Sequence, residues 1–270
     1  MTRSLTKDTT LCMSLSGRPS NIGTRFHNYL YDELDLDYLY KAFTTTDLPA
    51  AIGGVRALGI RGCAVSMPFK EAVIELVDVV HESARAIESV NTIVNEDGVL
   101  HAYNTDYQAV ADLLAASGFS SEFTVAVTGS GGMAKAVVAA LRDSGFTKGT
   151  VVARNSKTGN ALAESYGYDW APEPVAAELL VNVTPIGMEG GPDADASPFT
   201  DTQIYSAQAV FDVVAMPSET PFLAAARAAG KPVVTGAQVI ALQAAEQFFL
   251  YTGVRPTSDQ IARASECSRR

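Results

Sequence analysis

Short apolar runs alternate along the chain with stretches whose apolar residues recur every three or four positions. The first pattern is typical of buried strands and the second of amphipathic helices. Because glycine and proline separate these segments in the first hundred residues, we predict repeated β-α-β order there. The predicted segments are a strand at 9–16, a helix with apolar positions Phe26, Tyr29, Leu30 and Leu34, a strand at 38–43, a helix at 48–58 and a strand at 62–66.

The next segments place two charged residues where loops meet helices. Pro68 can begin a helix, so Lys70 is predicted at a strand-to-helix junction. The runs VNTIV and VLHAY flank the sequence EDG, whose glycine supplies the positive φ of a hairpin turn. Asn104 and Thr105 are then predicted to cap a helix that runs to about residue 117, with Asp106 in its first turn.

The pattern changes near residue 105, where strands and helices begin to alternate regularly. The segment FTVAVTGSGGMAKAVVAALRDSG has the pattern of a buried strand, a glycine loop and an amphipathic helix. Short apolar strands follow at 150–153, 179–183, 209–213 and 232–235, with helices such as 158–166 and 220–229 between them. This alternation predicts an α/β protein with a doubly wound parallel sheet. The final two helices, at 236–251 and 256–268, are predicted to pack on the first domain.

Charge and composition narrow the classes of partner. Thirty acidic residues against 20 basic residues leave a net charge of −10, which repels the phosphates of nucleic acids and anionic lipids. We find no apolar stretch long enough to span a membrane and no signal peptide. The three cysteines and three histidines lack metal-ligand spacing. We therefore expect a cytoplasmic protein that uses no metal, nucleic acid or membrane.

The glycine loop is a candidate dinucleotide site. A loop without side chains between a strand and a helix lets backbone N–H groups and the positive helix end approach a pyrophosphate. In the sequence GSGGMA, alanine stands at the last small position of the usual fingerprint. The alternative is a tight turn that binds nothing. The predicted cofactor contacts are Gly129, Ser130, Gly131, Gly132, Met133 and Ala134.

The tip of the next strand distinguishes NAD from NADP. A carboxylate there accepts from the ribose 2′-hydroxyl, whereas an arginine pairs with a 2′-phosphate. Residues 153–157 read ARNSK, with two cations and no acid. This favours NADP, with Arg154, Asn155 and Lys157 as contacts; the alternative is a solvated strand end with ordinary surface cations.

Lys70 and Asp106 are candidates for acid-base chemistry. A lysine and an aspartate that converge on a substrate hydroxyl can exchange its proton. The alternative is that Lys70 is a solvated residue and that Asp106 only favours a helix N-terminus. Asn91 and Asn104 are likewise either substrate contacts or turn and cap residues.

Six ordered motifs together resemble the shikimate dehydrogenase family. They span nearly the whole chain, which makes them more specific than a single glycine loop. The motifs are SMPFK at 66–70, ESVNTIV at 88–94, AYNTD at 102–106, GSGGMAKA at 129–136, NVTPIGM at 182–188, and DVVAMPSETPF followed by GAQVIALQAAEQF.

The resemblance implies an NADP-dependent interconversion of shikimate and its 3-dehydro ketone, with Lys70 and Asp106 as the catalytic pair. It implies a substrate domain of residues 1–104 and 237–270, and a Rossmann-type NADP domain of residues 105–236. By the same matching, the substrate contacts are Asn21, Thr24, Ser66, Asn91 and Gln243. The further cofactor contacts are Asn182, Thr184, Val213 and Gly236.

The chain departs from the family pattern where the family uses two serines to hold the substrate carboxylate. Counting back from His27, those positions fall on Asn21 and Gly23, and the stretch is shorter than in the family. Elsewhere, Tyr107 follows Asp106 where glycine is usual, and Ala215 and Val239 stand at family tyrosine and methionine positions. The substrate is therefore shikimate, turned over weakly, or quinate or an amino-substituted analogue. A regulatory NADP-binding protein is the remaining alternative, and the oligomer is a monomer or homodimer.

Overall fold

The computed structural model describes residues 5–85 and 87–269. Its chain forms two compact units, Met1–Thr105 with Ala241–Arg270, and Asp106–Ile240. We call them the first and the second unit. We predicted the boundaries after residues 104 and 236; the functions assigned to the two domains stay predictions.

Twelve strands and ten α-helices are present in the described residues. The strands are β1 (Thr10–Leu15), β2 (Tyr38–Phe43), β3 (Gly62–Val65), β4 (Val79–Val80), β5 (Thr92–Glu96), β6 (Val99–Tyr103), β7 (Val125–Thr128), β8 (Gly149–Val152), β9 (Asp169–Ala171), β10 (Leu179–Asn182), β11 (Ala209–Asp212) and β12 (Val233–Thr235). The helices are α1 (Ile22–Glu33), α2 (Leu48–Ala57), α3 (Glu82–Arg85), α4 (Thr105–Ser117), α5 (Gly132–Asp143), α6 (Ser156–Tyr166), α7 (Asp201–Ser206), α8 (Pro221–Ala228), α9 (Gly236–Thr252) and α10 (Ser258–Ser268), with a 3-10 helix at Ala72–Leu76.

The first unit is built on a mixed six-stranded sheet in the order β2-β1-β3-β5-β6-β4. Strand β1 is parallel to β2 and β3, as the predicted β-α-β order requires, and β5 is antiparallel to β3 and β6. The β5-β6 turn has positive φ at Asp97 (52°) and Gly98 (91°). Both angles fit a type I′ hairpin, so the predicted hairpin is confirmed.

Two apolar cores cover the two faces of this sheet. Successive side chains of a strand point to opposite faces, so Cys12 and Met13 of β1 belong to different cores. Met13 packs in the core that α2 covers, whereas Cys12 packs in the core formed with α1, α9 and α10. The two C-terminal helices therefore pack on the first unit, as predicted. At Gly62 of β3 an added Cβ would lie 2.4 Å from the ring of Tyr251, so only glycine lets α9 approach the strand.

The second unit contains a parallel six-stranded sheet in the order β12-β11-β10-β7-β8-β9. Counted from β7, this is the doubly wound Rossmann order, which confirms the predicted α/β class. In such sheets ligands bind beyond the carboxyl ends of the strands, where the order reverses. The reversal here lies between β7 and β10. Within the described residues, no helix is long and apolar enough to cross a membrane.

The prediction that a helix begins at Pro68 is wrong. Residues 67–71 form turns, and only Ala72–Leu76 follow as a 3-10 helix. The helix ends because Val77 is extended and Val79–Val80 then pair with β6 as the short strand β4. Lys70 therefore lies in a turn, with its backbone carbonyl accepting the N–H of Val90 (2.9 Å).

Candidate active site

The side-chain amide of Asn91 is the best-defined polar group of the first unit. It lies directly before β5 and is 2% exposed. Its Oδ1 accepts the backbone N–H of Thr105 (2.8 Å) and the hydroxyl of Thr92 (2.7 Å). Its buried Nδ2 has no hydrogen-bond partner among the described residues. Since buried donors are almost always paired in folded proteins, this N–H group is available to a ligand.

Helix α9 brings two glutamines to the same region. Gln243 Oε1 lies 3.4 Å from the hydroxyl of Thr105, and Gln247 Nε2 donates to the hydroxyl of Thr92 (3.0 Å). Residues four apart share one face of a helix, so both amides face the Asn91 region. Sequence reasoning selected Gln243 but missed Gln247, although their spacing was a usable signal.

Lys70 and Ser66 belong to the loop that follows β3. Ser66 is exposed; its N–H donates to Leu15, and its carbonyl accepts from Phe69. The bond from Val90 to the Lys70 carbonyl holds the Lys70 turn next to the residue that precedes Asn91. The first unit thus brings together the segments that carry Lys70, Asn91 and Gln243, although these residues are far apart in the sequence.

Asp106 lies in the first turn of α4 and is 8% exposed. It opens the second unit, whereas Lys70 belongs to the first, so their pairing stays a prediction. Asn104 has a structural role, since its Nδ2 donates to the carbonyl of Ser89 (2.8 Å). The hydroxyl of Tyr107, the residue after Asp106, donates to the carboxylate of Asp143 at the end of α5 (2.6 Å). Burial, followed by this bond, raises the pKa of Tyr107 to about 12.

The segment that differs from the family pattern forms the start of α1. Asn21 occupies the N-cap position of α1, but its side chain makes no cap hydrogen bond. The buried hydroxyl of Thr24 lacks a hydrogen-bond partner within the described part of the chain. Asn28 instead pairs with the backbone of Tyr40, which fixes α1 against β2. Thr24 is therefore available to a ligand, and Asn21 is not held by its own helix.

The glycine loop follows β7 at the reversal point of the second sheet. Gly129 has φ of +111°, and an added Cβ would lie 3.0 Å from the carbonyl oxygen of Val183. Gly131 is the N-cap of α5, and a Cβ there would meet no atom within 4 Å. Ala134 is fully buried against the unit, whereas Met133 is half-buried. The loop therefore leaves open space before the N–H groups of α5, which begins at Gly132.

The tip of β8 lies beside this loop. The hydroxyls of Ser130 and Thr158 are 2.8 Å apart, which ties the loop to the first turn of α6. Asn155 caps α6 by accepting the N–H groups of Lys157 and Thr158. Arg154 and Lys157 are exposed. The structure thus joins Ser130, which precedes α5, to the first turn of α6 through Thr158, and the exposed cations Arg154 and Lys157 lie in the same segment as Thr158. The Asn155 side chain serves mainly as a cap.

Asn182 lies at the end of β10 and is fully buried. Its Oδ1 accepts from Thr128 and from the N–H and hydroxyl of Thr184 (3.1, 3.0 and 2.7 Å). Its Nδ2 donates to Ile186 and to Asp212 (3.1 and 3.0 Å). All hydrogen-bonding capacity of this amide is therefore used. Asn182 and Thr184 fix the loop after β10, so the expected cofactor contact of Asn182 is corrected to a positioning role.

Asp212 ends β11 and was missed by sequence reasoning. Burial raises its pKa, and bonds from Thr220, Val214 and Asn182 offset part of that rise. The Thr220 hydroxyl donates to it at 2.6 Å. A carboxylate at the end of the apolar run AVFD was the available signal. This buried network fixes the carboxyl ends of β7, β10 and β11 as one rim.

Val213 and Gly236 meet where β11 approaches the start of α9. The N–H of Val213 donates to the carbonyl of Asn182 (3.0 Å). A Cβ on Gly236 would lie 2.4 Å from the carbonyl oxygen of Val213, so a side chain there would push the two segments apart. Both residues thus shape the same rim as Asn182.

The three histidines contact other aromatic rings of the first unit. His81 Nε2 lies 3.2 Å from His101 Nδ1, and the His81 ring stacks on Tyr103. Among the side chains that the structure describes, no group of three or more potential ligands could hold a metal ion. His27 is a buried packing residue, with its ring stacked on that of Tyr40 at a centroid distance of 4.3 Å.

Comparisons with known proteins cover nearly the whole chain. The family model described as the shikimate dehydrogenase substrate binding domain matches residues 21–93. The chain is 58% identical over 267 residues to a shikimate dehydrogenase-like protein of Haemophilus influenzae, with 98% of each chain covered. It is 35% identical over 266 residues to a shikimate dehydrogenase (NADP(+)) of Moorella thermoacetica, covering 92% of this chain and 90% of that one.

The fold agrees with these relationships. The crystal structure of shikimate 5-dehydrogenase from Thermus thermophilus, in complex with NADP(H) and shikimate, superposes with a TM-score of 0.87 at 32% identity. That match covers 96% of this chain and 99% of the other. The chain therefore belongs to the shikimate dehydrogenase family, and its relatives named as shikimate dehydrogenases support an oxidoreductase.

Proposed function

We propose that this protein is an NADP-dependent dehydrogenase that interconverts shikimate, or a closely related hydroxylated ring carboxylate, and its 3-dehydro ketone. The observation that carries the proposal is the buried Nδ2 of Asn91, which has no partner within the described residues. The residue before it, Val90, donates its backbone N–H to the carbonyl of Lys70. Family membership supports the reaction class. A hydroxyl-bearing ring supplies the acceptor that this buried donor lacks.

The second unit fits a dinucleotide. Open space at Gly131, the N-terminus of α5 and the close approach at Gly236 form a cradle that larger side chains would fill. Arg154 and Lys157 lie at the strand tip where a 2′-phosphate is recognised, and no carboxylate lies within 153–158. These residues would hold NADP, which would supply the hydride acceptor for oxidation and, in its reduced form, the hydride donor for the reverse reaction.

The chain's own residues handle binding and the proton. Lys70 takes the proton of the ring hydroxyl as the carbinol carbon loses its hydride, and it returns that proton in the reverse direction. Asp106 is the second member of this acid-base pair. Asn91, Gln243 and Ser66 bind ring oxygens. The products are the ketone, the reduced cofactor and one proton, so atoms and charge balance.

The segment assigned to the carboxylate end of the substrate departs from the family pattern, since Asn21 and Gly23 replace the two serines. Thr24 supplies a buried hydroxyl without a described partner in this segment. We assign the carboxylate to Thr24 and Asn21. Because this segment differs, quinate is the second candidate substrate.

The proposal is tested by initial rates of NADPH formation with shikimate and with quinate, each with NADP and with NAD. We expect turnover of at least one ring carboxylate, with NADP preferred over NAD. Binding of NADP without turnover of either compound would leave the fold and cofactor assignment in place and contradict the proposed reaction.

Replacing Arg154 with aspartate is expected to shift cofactor preference from NADP towards NAD. The change removes a charge-assisted contact with the 2′-phosphate and adds a like charge, at a cost of about 1.5–3 kcal/mol. The ratio of kcat/KM for NADP to that for NAD should fall by about 10- to 150-fold. Arg227→Asp on α8 is the matched control, since Arg227 pairs with Glu219 instead. An unchanged ratio in Arg154→Asp would contradict the assignment.

A further inference from the structure

We propose that Gln247 and Thr92 are positioning residues that lock the Asn91 amide, so that its Nδ2 presents only a hydrogen-bond donor to the substrate. This inference rests on the proposed function, in which Asn91 contacts a ring substituent. Gln247, Thr92 and Asn91 are 4%, 0% and 2% exposed, so bulk water does not compete for their bonds.

The direction of each bond follows from which groups can donate. Gln247 Nε2 lies 3.3 Å from the backbone carbonyl oxygen of Asn91 and 3.0 Å from Thr92 Oγ1. A carbonyl oxygen only accepts, so it fixes the NH₂ end of the Gln247 amide towards Thr92. Thr92 Oγ1 then accepts from Gln247, and its single proton is directed elsewhere.

That proton has a defined destination. Asn91 Oδ1 is 2.7 Å from Thr92 Oγ1, and the backbone N–H of Thr105 also donates to it at 2.8 Å. Both neighbours present hydrogens, so the oxygen end of the Asn91 amide must face them. A flipped amide would place its NH₂ against two donors and leave its oxygen without either bond.

The lock determines what the site recognises. With Oδ1 held, the buried Nδ2 is the only end of the amide left for a ligand, and it can only donate. The substrate group opposite Asn91 must therefore carry a lone pair, as a hydroxyl, ketone or carboxylate oxygen does. An ammonium group has no lone pair, so the lock excludes an amino-substituted ring carbon at this position.

Two substitutions break the lock at different bonds. Gln247→Glu replaces the donor to Thr92 with a carboxylate that accepts. The Thr92 hydroxyl then donates to this carboxylate and no longer to Asn91 Oδ1. Thr92→Val removes the hydroxyl at nearly constant volume, and Thr92→Ser restores it. Gln208→Glu, at an exposed position of the second unit, makes the same charge change away from Asn91.

The first readout is kinetic, with shikimate and quinate as the substrates. We expect Gln247→Glu and Thr92→Val to raise KM for the ring substrate by about tenfold or more, with kcat and the KM for NADP nearly unchanged. Thr92→Ser should restore the wild-type KM, and Gln208→Glu should match the wild type. Loss of kcat, both KM values and the unfolding midpoint together would indicate a merely structural role and overturn the proposal.

The second readout needs no substrate. In ¹⁵N NMR spectra of the free protein, the Asn91 side-chain NH₂ signals should shift in Gln247→Glu and Thr92→Val but not in Gln208→Glu. Unmoved signals would overturn the lock even if the enzyme turns over shikimate. Shifted signals in a protein that turns over neither substrate would support the lock and count against the proposed reaction instead.

Discussion

Replacing Lys70 with methionine is expected to lower kcat for the ring substrate by about 10²- to 10⁴-fold, the usual worth of a positioned general acid or base. Methionine keeps a long flexible chain but carries no proton to exchange, so the hydroxyl proton must pass to water. Because Lys70 is not among the residues assigned to the cofactor, the dissociation constant for NADP should stay unchanged.

The control for this prediction is Lys7→Met, since the Lys7 side chain is 88% exposed and pairs only with the neighbouring Asp8 among its described contacts. Steady-state rates and NADP titrations on the two variants check the expectation. Full activity in Lys70→Met would show that another group moves the proton and would end the assignment of Lys70 as the acid-base residue.

Acid is expected to destabilise the protein through His27. Burial among aromatic rings lowers the pKa of His27 to about 3, with Tyr40 stacked on its ring. Between pH 6.5 and pH 3 the unfolded chain binds a proton at this histidine that the folded chain does not. The contribution of neutral His27 to the free energy of unfolding is therefore fully present above pH 6.5. It falls by about 1.4 kcal/mol for each pH unit below that value.

A His27→Phe variant isolates this contribution, because phenylalanine fills the aromatic site and does not titrate. The difference in unfolding free energy between wild type and variant should move against the wild type by about 2–3 kcal/mol from pH 6.5 to pH 4.5. Urea unfolding of both proteins at the two pH values gives this difference. An equal difference at both pH values would mean that His27 is protonated in the folded protein.

The second unit was largely predictable from sequence. Its strands β7, β10 and β11 are buried on both faces and so appear as continuous apolar runs, and glycine marks the loop where the dinucleotide fingerprint requires it. The short elements were not predictable in the same way. Strands β4 and β9 and helix α7 contain two, three and six residues, too few for periodicity to appear.

The setting of Lys70 depended on a distant contact. Residues 68–77 carry an apolar pattern that suits a helix, but pairing of Val79–Val80 with β6 ends it after one short 3-10 segment. The helix propensity of these residues does not indicate that the chain after them pairs with a strand some twenty residues further along. The printed contact at the Lys70 turn is also distant in sequence, since the N–H of Val90 donates to the Lys70 carbonyl.

In the candidate site, too, the sequence predicted which residues to consider but not which of them is available to a ligand. Sequence motifs selected Asn91 and Asn182 equally, since both are asparagines in family-like segments. Only the hydrogen-bond partners separate them: Asn182 has its amide fully used by Thr184 and Asp212, whereas Asn91 keeps a buried N–H group without a described partner. Side-chain satisfaction depends on tertiary contacts, which spacing along the chain does not encode.

The most direct test of the proposed reaction follows one hydrogen atom. Shikimate deuterated at C3 is incubated with the protein and NADP, and the reduced cofactor is analysed by mass spectrometry. We predict deuterium in the NADPH formed, together with a slower rate than with unlabelled shikimate where hydride transfer limits turnover. Formation of unlabelled NADPH would contradict direct hydride transfer from the ring carbon. Formation of no NADPH, with either C3-deuterated shikimate or C3-deuterated quinate, would contradict it as well.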